Sequence, residues 1–391
     1  MMEPEKNLTA IEMFAGIGGF HLGMKSAGIR VSWANDLDGL AIKVYESNFG
    51  RGSIVPGDMR EILARDVPKH DLLTAGFPCQ SFSAAGKKMG IKDLTRGTLF
   101  EEIVKVLERH EPRFFFLENV KRLLTMEDGR HFRVILEALS SLGYFVEWRI
   151  INPLQFGIPQ NRDRVFIFGT KVAGLGDHRE TLEELSVFLT QDDLNELMLP
   201  DSKAITDWMI PFQKMRRRND SWGIAYKDKV YSQDLPDLYD LKRMSGLKEI
   251  LEENPPSEFD FTEQTLGRLD ASSEVHDYVN GVEVLYNQRG GARMGYTIFG
   301  TNGVAPTLTA STSRHYERYK IGGRFRRLTH VEYARLMGFP DDWCRVASSY
   351  DQYRLYGNAV VPACVQWTCK RIGKKNIDFQ KLRGGQLALA L

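Results

Sequence analysis

The chain has 391 residues, Lys+Arg 52 against Asp+Glu 51 for a formal charge of +1, and is 42% hydrophobic and 26% charged. This length predicts two or three domains of roughly 150 residues and a core that folds without disulfides or a structural metal. The composition excludes a disordered or fibrous chain, and the charge balance excludes a polycation, so a nucleic-acid surface has to be a local patch.

In chain order, Leu8 to Met13 reads as a strand ending at the glycine-rich FAGIGGF (14–20), and HLGMKSAG after it as a helix. Ile29 to Ala34 is a second strand, with DGLAIKVYESNF helical beyond it, and Leu72 to Ala75 is another strand before GFPCQSFS (76–83). Helical FEEIVKVLERHEP leads to a strand at Phe114 to Leu117, and Phe145 to Ile150 with Arg164 to Phe168 read as a terminal pair. Strands alternating with helices of this length predict a mostly parallel sheet covered on both faces. After Gly169 the rhythm breaks: residues 171–325 mix acidic helical stretches, a basic cluster at Lys214, Arg216, Arg217 and Arg218, and Pro/Gly loops. Alternation resumes near Arg327, and Val360 to Ile372 has helical spacing. The expected division is an α/β unit over 1–186, an irregular insert with its own small core over 187–345, and a return to the first unit over 346–391.

The four cysteines, Cys79, Cys344, Cys364 and Cys369, form no Cys-x-x-Cys pair, so neither a zinc site nor a secreted disulfide framework is expected. The opening MMEPEKNLTA lacks a signal-peptide pattern, and no run of about 18 apolar residues marks a membrane span. The expectation is a soluble protein of a reducing cytoplasm, with no metal.

Glycines between a strand and a helix let backbone approach a ligand at the carboxyl edge of a sheet. Asp36 stands about 20 residues past the first of them, where an acid accepts hydrogen bonds from a ribose. Asp58 in PGDM is placed to read an adenine amino group. Alone the glycine turn also fits a simple helix cap; with both acids it predicts an adenosine-containing cofactor, and its incomplete fingerprint counts against NAD. In GFPCQSFS, Cys79 directly follows an apolar strand, with Pro78 stiffening the turn. The loop beyond, with Gly86, Gly90 and Gly97 among Lys87, Lys88, Lys92 and Arg96, has the make-up of a lid over an anionic substrate. An isolated cysteine is otherwise an inert buried thiol. FFFLENV (114–120) ends a buried strand in Glu118-Asn119, where desolvation raises a carboxyl's pKa and suits it to general acid work; a helix N-cap is the alternative for Asn119. In FGIPQNRDRVFIFG, Arg162 and Arg164 lie two apart at a strand start and so share one face, in a cleft or as a solvated edge pair.

These four blocks, in this order, resemble the DNA cytosine-5 methyltransferases, particularly the bacterial restriction–modification type. RRLTHVEYARLMGFP (326–340) and YGNAVVP (356–362) are similar to that family's last two motifs, so the resemblance spans almost the whole chain. It implies a Rossmann-like S-adenosylmethionine-dependent methyltransferase sheet, a smaller irregular target-recognition domain with its hinge at 187–345, and a tail that completes the catalytic domain. It implies a flipped cytosine attacked at carbon 6 by Cys79, with Glu118 as the acid at nitrogen 3, Arg164 on the carbonyl oxygen and Arg162 in support. Cofactor roles carry over to Phe14, Gly16, Ile17, Gly18, Asp36, Leu37, Asp58, Met59, Gly76, Pro78, Leu99, Asn358 and Ala359. Two positions depart from the pattern: Asp36 stands where Glu is common, and Leu37 where an aromatic often stacks on the adenine.

DNA contacts are expected from Ser83, Lys87 and Arg96 in the loop, and from Arg289, Arg293, Thr307 and Arg314 in the insert. The stretch from Gln288 to Arg318, with Thr309, Ser311 and His315, has the composition of a base-reading surface, although such residues also bind phosphate or one another. The implied partners are double-stranded DNA and a restriction endonuclease of the same site, with the enzyme a monomer. An RNA cytosine-5 methyltransferase and a catalytically silent base-gripping module are the rival readings; intact Cys79, Glu118 and Arg164 argue against the second.

Overall fold

The computed structural model describes residues 8–78, 98–172, 179–197, 206, 209–215, 220–238, 246–267, 272–288, 297–310 and 317–372. The first half of the chain builds β1 (Thr9–Met13), α1 (Gly19–Ser26), β2 (Arg30–Asp36), α2 (Gly39–Phe49), β3 (Val55–Pro56), β4 (Leu72–Gly76), α3 (Leu99–His110), β5 (Phe114–Val120), α4 (Arg130–Ser141), β6 (Tyr144–Ile151) and β7 (Arg164–Lys171). The strands order as β3-β2-β1-β4-β5-β7-β6. They are parallel from β3 to β5 and antiparallel from there on.

Alternation explains why β1, β4 and β5 are apolar at nearly every position. Ala10, Leu72, Phe114 and Phe116 pack into the core on one face, and Ile11, Met13, Leu73, Ala75, Phe115 and Leu117 into the core on the other. Strands covered on both faces have no solvent side to spare for polar residues. Each buried phenylalanine contributes about 2 to 3 kcal/mol of transfer free energy. Glu12 interrupts this pattern: it is fully buried, accepts a 3.0 Å hydrogen bond from the Tyr45 hydroxyl, and burial pushes its pKa up to about 8.

Two expectations are corrected here. The sheet is mixed rather than mostly parallel, and β6 with β7 does not close it, because β9 (Trp222–Tyr226) pairs with β6 and is followed by β10 (Lys229–Gln233) and β8 (Ile210–Pro211). Residues 210–233 were expected within the insert. Glu147 of β6 ties β9 to the sheet: its buried carboxylate accepts from Trp222 Nε1 at 2.7 Å and from the Val187 amide at 2.8 Å. The remainder of the insert is also less irregular than expected. It forms a second sheet, β11 (Ser272–Val279), β12 (Val282–Gln288), β13 (Thr297–Phe299), β14 (Arg318–Ile321) and β15 (Arg324–Arg327), in that order and antiparallel except between β13 and β14. Two hairpins carry it. Asn280-Gly281 and Gly322-Gly323 all have positive φ, as a two-residue hairpin loop needs to match the strand twist.

The C-terminal segment returns to the first sheet as α5 (His330–Leu336), α6 (Ser349–Asn358) and α7 (Pro362–Ile372). Its contact with α1 is at backbone distance. A Cβ on Gly19 would lie 2.2 Å from the Val360 carbonyl oxygen, and one on Gly23 would lie 2.5 Å from Val365 Cβ. Only glycine fits at these two positions, so the YGNAVVP segment lies directly against the glycine-rich turn.

Candidate active site

The strand order reverses between β1 and β4, and ligands of open α/β sheets bind at such a switch point, beyond the carboxyl ends of the strands. A cleft of approximately 740 Å³ lies there. Phe14, Gly16 and Ile17 line it from the turn after β1, Asp36 to Asp38 from the end of β2, Gly76 to Pro78 from β4, and Glu118 to Val120 from β5. Arg162 enters from just ahead of β7 and Arg164 from its first residue, Leu99 from α3, and Arg354, Asn358, Ala359 and Val360 from the C-terminal return.

One side of the cleft is built from backbone. Phe14, Gly16 and Gly18 all adopt positive φ, at 55°, 54° and 87°, which turns the chain sharply between β1 and α1. Asp36 fixes that turn: one carboxylate oxygen accepts the Gly16 amide at 2.7 Å, the other the Asp38 amide at 2.8 Å. Burial raises the Asp36 pKa, and these two amides pull against it. Asp38 caps α2 by accepting from the Leu40 amide and pairs with Arg354 of α6. From the opposite side the Trp343 indole donates to the Ile17 carbonyl at 2.9 Å.

The chemical side is built from charge. Glu118 is buried at the end of β5, with Arg164 Nε 3.1 Å from its Oε1. Desolvation raises the Glu118 pKa, with Arg164 and then Arg162 opposing. Arg162 is itself enclosed, donating to the carbonyls of Leu308 and Gly357 at 2.9 Å and of Ala359 at 3.1 Å. Burial, with Arg164 adding to it, pulls its pKa down to about 9, so it remains a cation at neutral pH. Asn119 caps no helix. Its amide donates to the Phe77 carbonyl at 2.8 Å and its oxygen accepts the Val120 amide, so it ties β5 to the turn that leads to Cys79.

Glu118, Arg162 and Arg164 therefore share the cleft with Phe14, Gly16, Ile17, Asp36, Leu37, Gly76, Pro78, Leu99, Asn358 and Ala359. Gly18, Asp58 and Met59 lie off it. Gly18 sits at the N-cap of α1, and Met59 is buried in the core. Asp58 pairs with Arg60, two residues on, at 2.5 to 3.0 Å, which lowers its pKa to about 2. The Thr307 hydroxyl donates to the Asn161 carbonyl at 2.7 Å. Cys79, Ser83, Lys87, Arg96, Arg289, Arg293 and Arg314 lie outside the described residues. Asn119, Asp38, Arg354 and Trp343 were missed. The first two stand beside predicted residues in sequence, but Trp343 is 326 residues from its partner and carried no local signal.

Fold and cleft together define an α/β enzyme with a glycine-cradled ligand site beside a buried carboxyl–guanidinium pair. Comparison with known proteins gives the particular family. The model of the C-5 cytosine-specific DNA methylase family matches residues 8–374, and the chain belongs to that family. It is a DNA cytosine-5 methyltransferase. Among curated relatives, the type II methyltransferase M.HpaII of Haemophilus parainfluenzae is 31% identical over 96% of this chain and 93% of its own length. M.HhaI of Haemophilus parahaemolyticus is 29% identical over 96% and 98%. M.NgoBI of Neisseria gonorrhoeae is 48% identical over 41% of this chain, a match that spans 49% of that protein. In fold the chain is similar to the Schizosaccharomyces pombe Dnmt2 methyltransferase, with a TM-score of 0.59 at 19% identity over 94% of this chain and 99% of that one.

Proposed function

We propose that the cleft binds S-adenosylmethionine and a cytosine flipped out of duplex DNA, and that methylation proceeds through a covalent bond between Cys79 and carbon 6 of that cytosine. The observation that carries this reading is the meeting of buried Glu118 with Arg164 and Arg162 at the same switch point as the Asp36-braced glycine turn.

The cleft fits the cofactor. Gly16 presents backbone to the cleft at a φ of 54°, Asp36 stands at the end of β2, and the exposed Leu37 offers an apolar surface for a flat ring. S-adenosylmethionine held there supplies a methyl group on a positively charged sulfur. The chain's own residues prepare the ring. Cytosine carbon 5 is a weak nucleophile, and addition of the Cys79 thiolate to carbon 6 breaks the carbon 5–carbon 6 double bond and leaves an enamine across carbons 4 and 5, which makes carbon 5 nucleophilic. Charge that builds on the ring is met at nitrogen 3 by the Glu118 proton and at the carbonyl oxygen by Arg164. Once carbon 5 carries the methyl group, a base takes the carbon 5 proton, the thiolate leaves carbon 6, and nitrogen 3 returns its proton to Glu118, which restores the ring. Flipping the base costs a few kcal/mol of stacking and pairing, which contacts in the pocket offset.

By analogy with the type II relatives, the substrate is duplex DNA with one short recognition sequence, and a restriction endonuclease reading the same sequence is the matching partner. The site of action is the bacterial cytoplasm, and the enzyme works as a monomer. DNA from a host expressing the protein is expected to carry 5-methylcytosine in one sequence context, read by bisulfite sequencing against the empty host. Absence of any protected context would contradict the reading.

A further inference from the structure

One peptide group in the second half of the chain touches two buried charges at once. The carbonyl of Leu308 accepts from Arg162 Nη1 at 2.9 Å, and the amide on the other end of the same peptide unit, that of Thr309, donates to Glu317 Oε1 at 3.2 Å. Glu317 is buried immediately before β14. It also accepts from the Thr309 hydroxyl at 3.4 Å and, on its other oxygen, from the Tyr333 hydroxyl of α5. The neighbouring residues are fixed as tightly. The Leu308 amide donates to the Gln160 side chain at 3.0 Å, and a Cβ on Gly357 would lie 2.4 Å from the Thr309 carbonyl oxygen.

A carboxylate on the N–H end of a peptide polarises it and makes its carbonyl a stronger acceptor at the other end. Arg162 has no carboxylate within ion-pair distance among the described residues; backbone carbonyls alone satisfy its Nη atoms, and its Nε is unpartnered. A buried cation held in this way depends on the quality of those acceptors. We propose that Glu317 is a positioning residue for methyl transfer, acting through the Leu308–Thr309 peptide to hold the Arg162 guanidinium beside Glu118 and Arg164. The proposal rests on the reading of the cleft given above, and it makes the strap at 307–309 a part of the catalytic site.

Glu317→Gln keeps the shape and the acceptor oxygen but removes the charge. With kcat normalised to the folded fraction, the variant is expected to lose about tenfold in kcat, with KM for DNA and for S-adenosylmethionine each within about twofold of wild type. The loss should depend on pH. Burial pushes the Glu317 pKa up to about 7, and the titratable or charged groups facing it are Arg162 ahead of β7, Tyr333 of α5 and Tyr319 of β14. Below neutrality the wild-type carboxyl is itself protonated, so the deficit of the variant should shrink as pH falls and grow as pH rises. Tyr333→Phe, which keeps the charge, should show a smaller deficit. A variant with lowered Tm but unchanged kcat per folded molecule would assign Glu317 a structural role only and overturn the proposal. So would a change confined to KM, or a deficit independent of pH. Wild-type enzyme measured alongside reports on the reading of the cleft separately.

Discussion

Cys79→Ala is expected to lose methyl transfer by at least about a thousandfold while binding duplex DNA within about twofold of wild type, because it removes the nucleophile and leaves the binding surfaces. The placement of the turn before it supports this size of effect. Gly76, Phe77 and Pro78 line the cleft, and the Asn119 amide pins the Phe77 carbonyl at 2.8 Å, so the chain is delivered to position 79 from a fixed point on the cleft wall. Glu118, the proton donor of the proposed mechanism, sits in register with Gly76 across the β4–β5 pair. Without the sulfur, cytosine carbon 5 keeps its low reactivity, and neither Glu118 nor the arginines can raise it alone. Radiolabelled methyl incorporation and a gel-shift titration on the same preparation check both halves. Retained turnover would remove Cys79 from the mechanism; loss of both activities would show that the substitution had damaged the binding surface.

Glu118→Gln is expected to lower kcat by about a hundred- to a thousandfold, the usual worth of a positioned proton donor, with little change in KM for DNA. Its pH dependence carries more information than its size. In the proposed mechanism the working form of Glu118 is the protonated one. Burial raises its pKa above that of an exposed glutamate, with Arg164 and Arg162 restraining the rise. Wild-type kcat should therefore be maintained at pH values where an ordinary glutamate is already ionised, and fall as pH rises through the raised pKa. The glutamine variant has no such proton to lose, and its residual rate should lack that descending limb. Steady-state rates across the pH range test this; an unchanged limb in the variant would assign the titration to another group.

The parts of the site that were legible in the sequence are those set by local order. A buried strand announces itself by a continuous apolar run, and the residues at its carboxyl end fall at the edge of the sheet; Asp36 and Glu118, which line the cleft, were picked out in this way. Hairpin chemistry was legible as well but went unread: Asn280-Gly281 and Gly322-Gly323 are two-residue turn signals that foretell β11–β12 and β14–β15. Other features depend on distant pairings that no local pattern encodes. β9 pairs with β6 and its Trp222 meets the buried Glu147 75 residues away, and Trp343 reaches Ile17 across the packing of the C-terminal return.

The most direct test is to offer the enzyme a duplex carrying 5-fluorocytosine at the target position of its recognition sequence, with S-adenosylmethionine present. Fluorine at carbon 5 cannot leave as a proton does, so the sulfur–carbon bond made in the first step cannot be undone by elimination. The account predicts a protein–DNA species that survives denaturation, with the modified base attached to Cys79 when the peptides are sequenced by mass spectrometry. Enzyme that methylates ordinary DNA at that sequence but forms no such species, or carries the base on another residue, would contradict it.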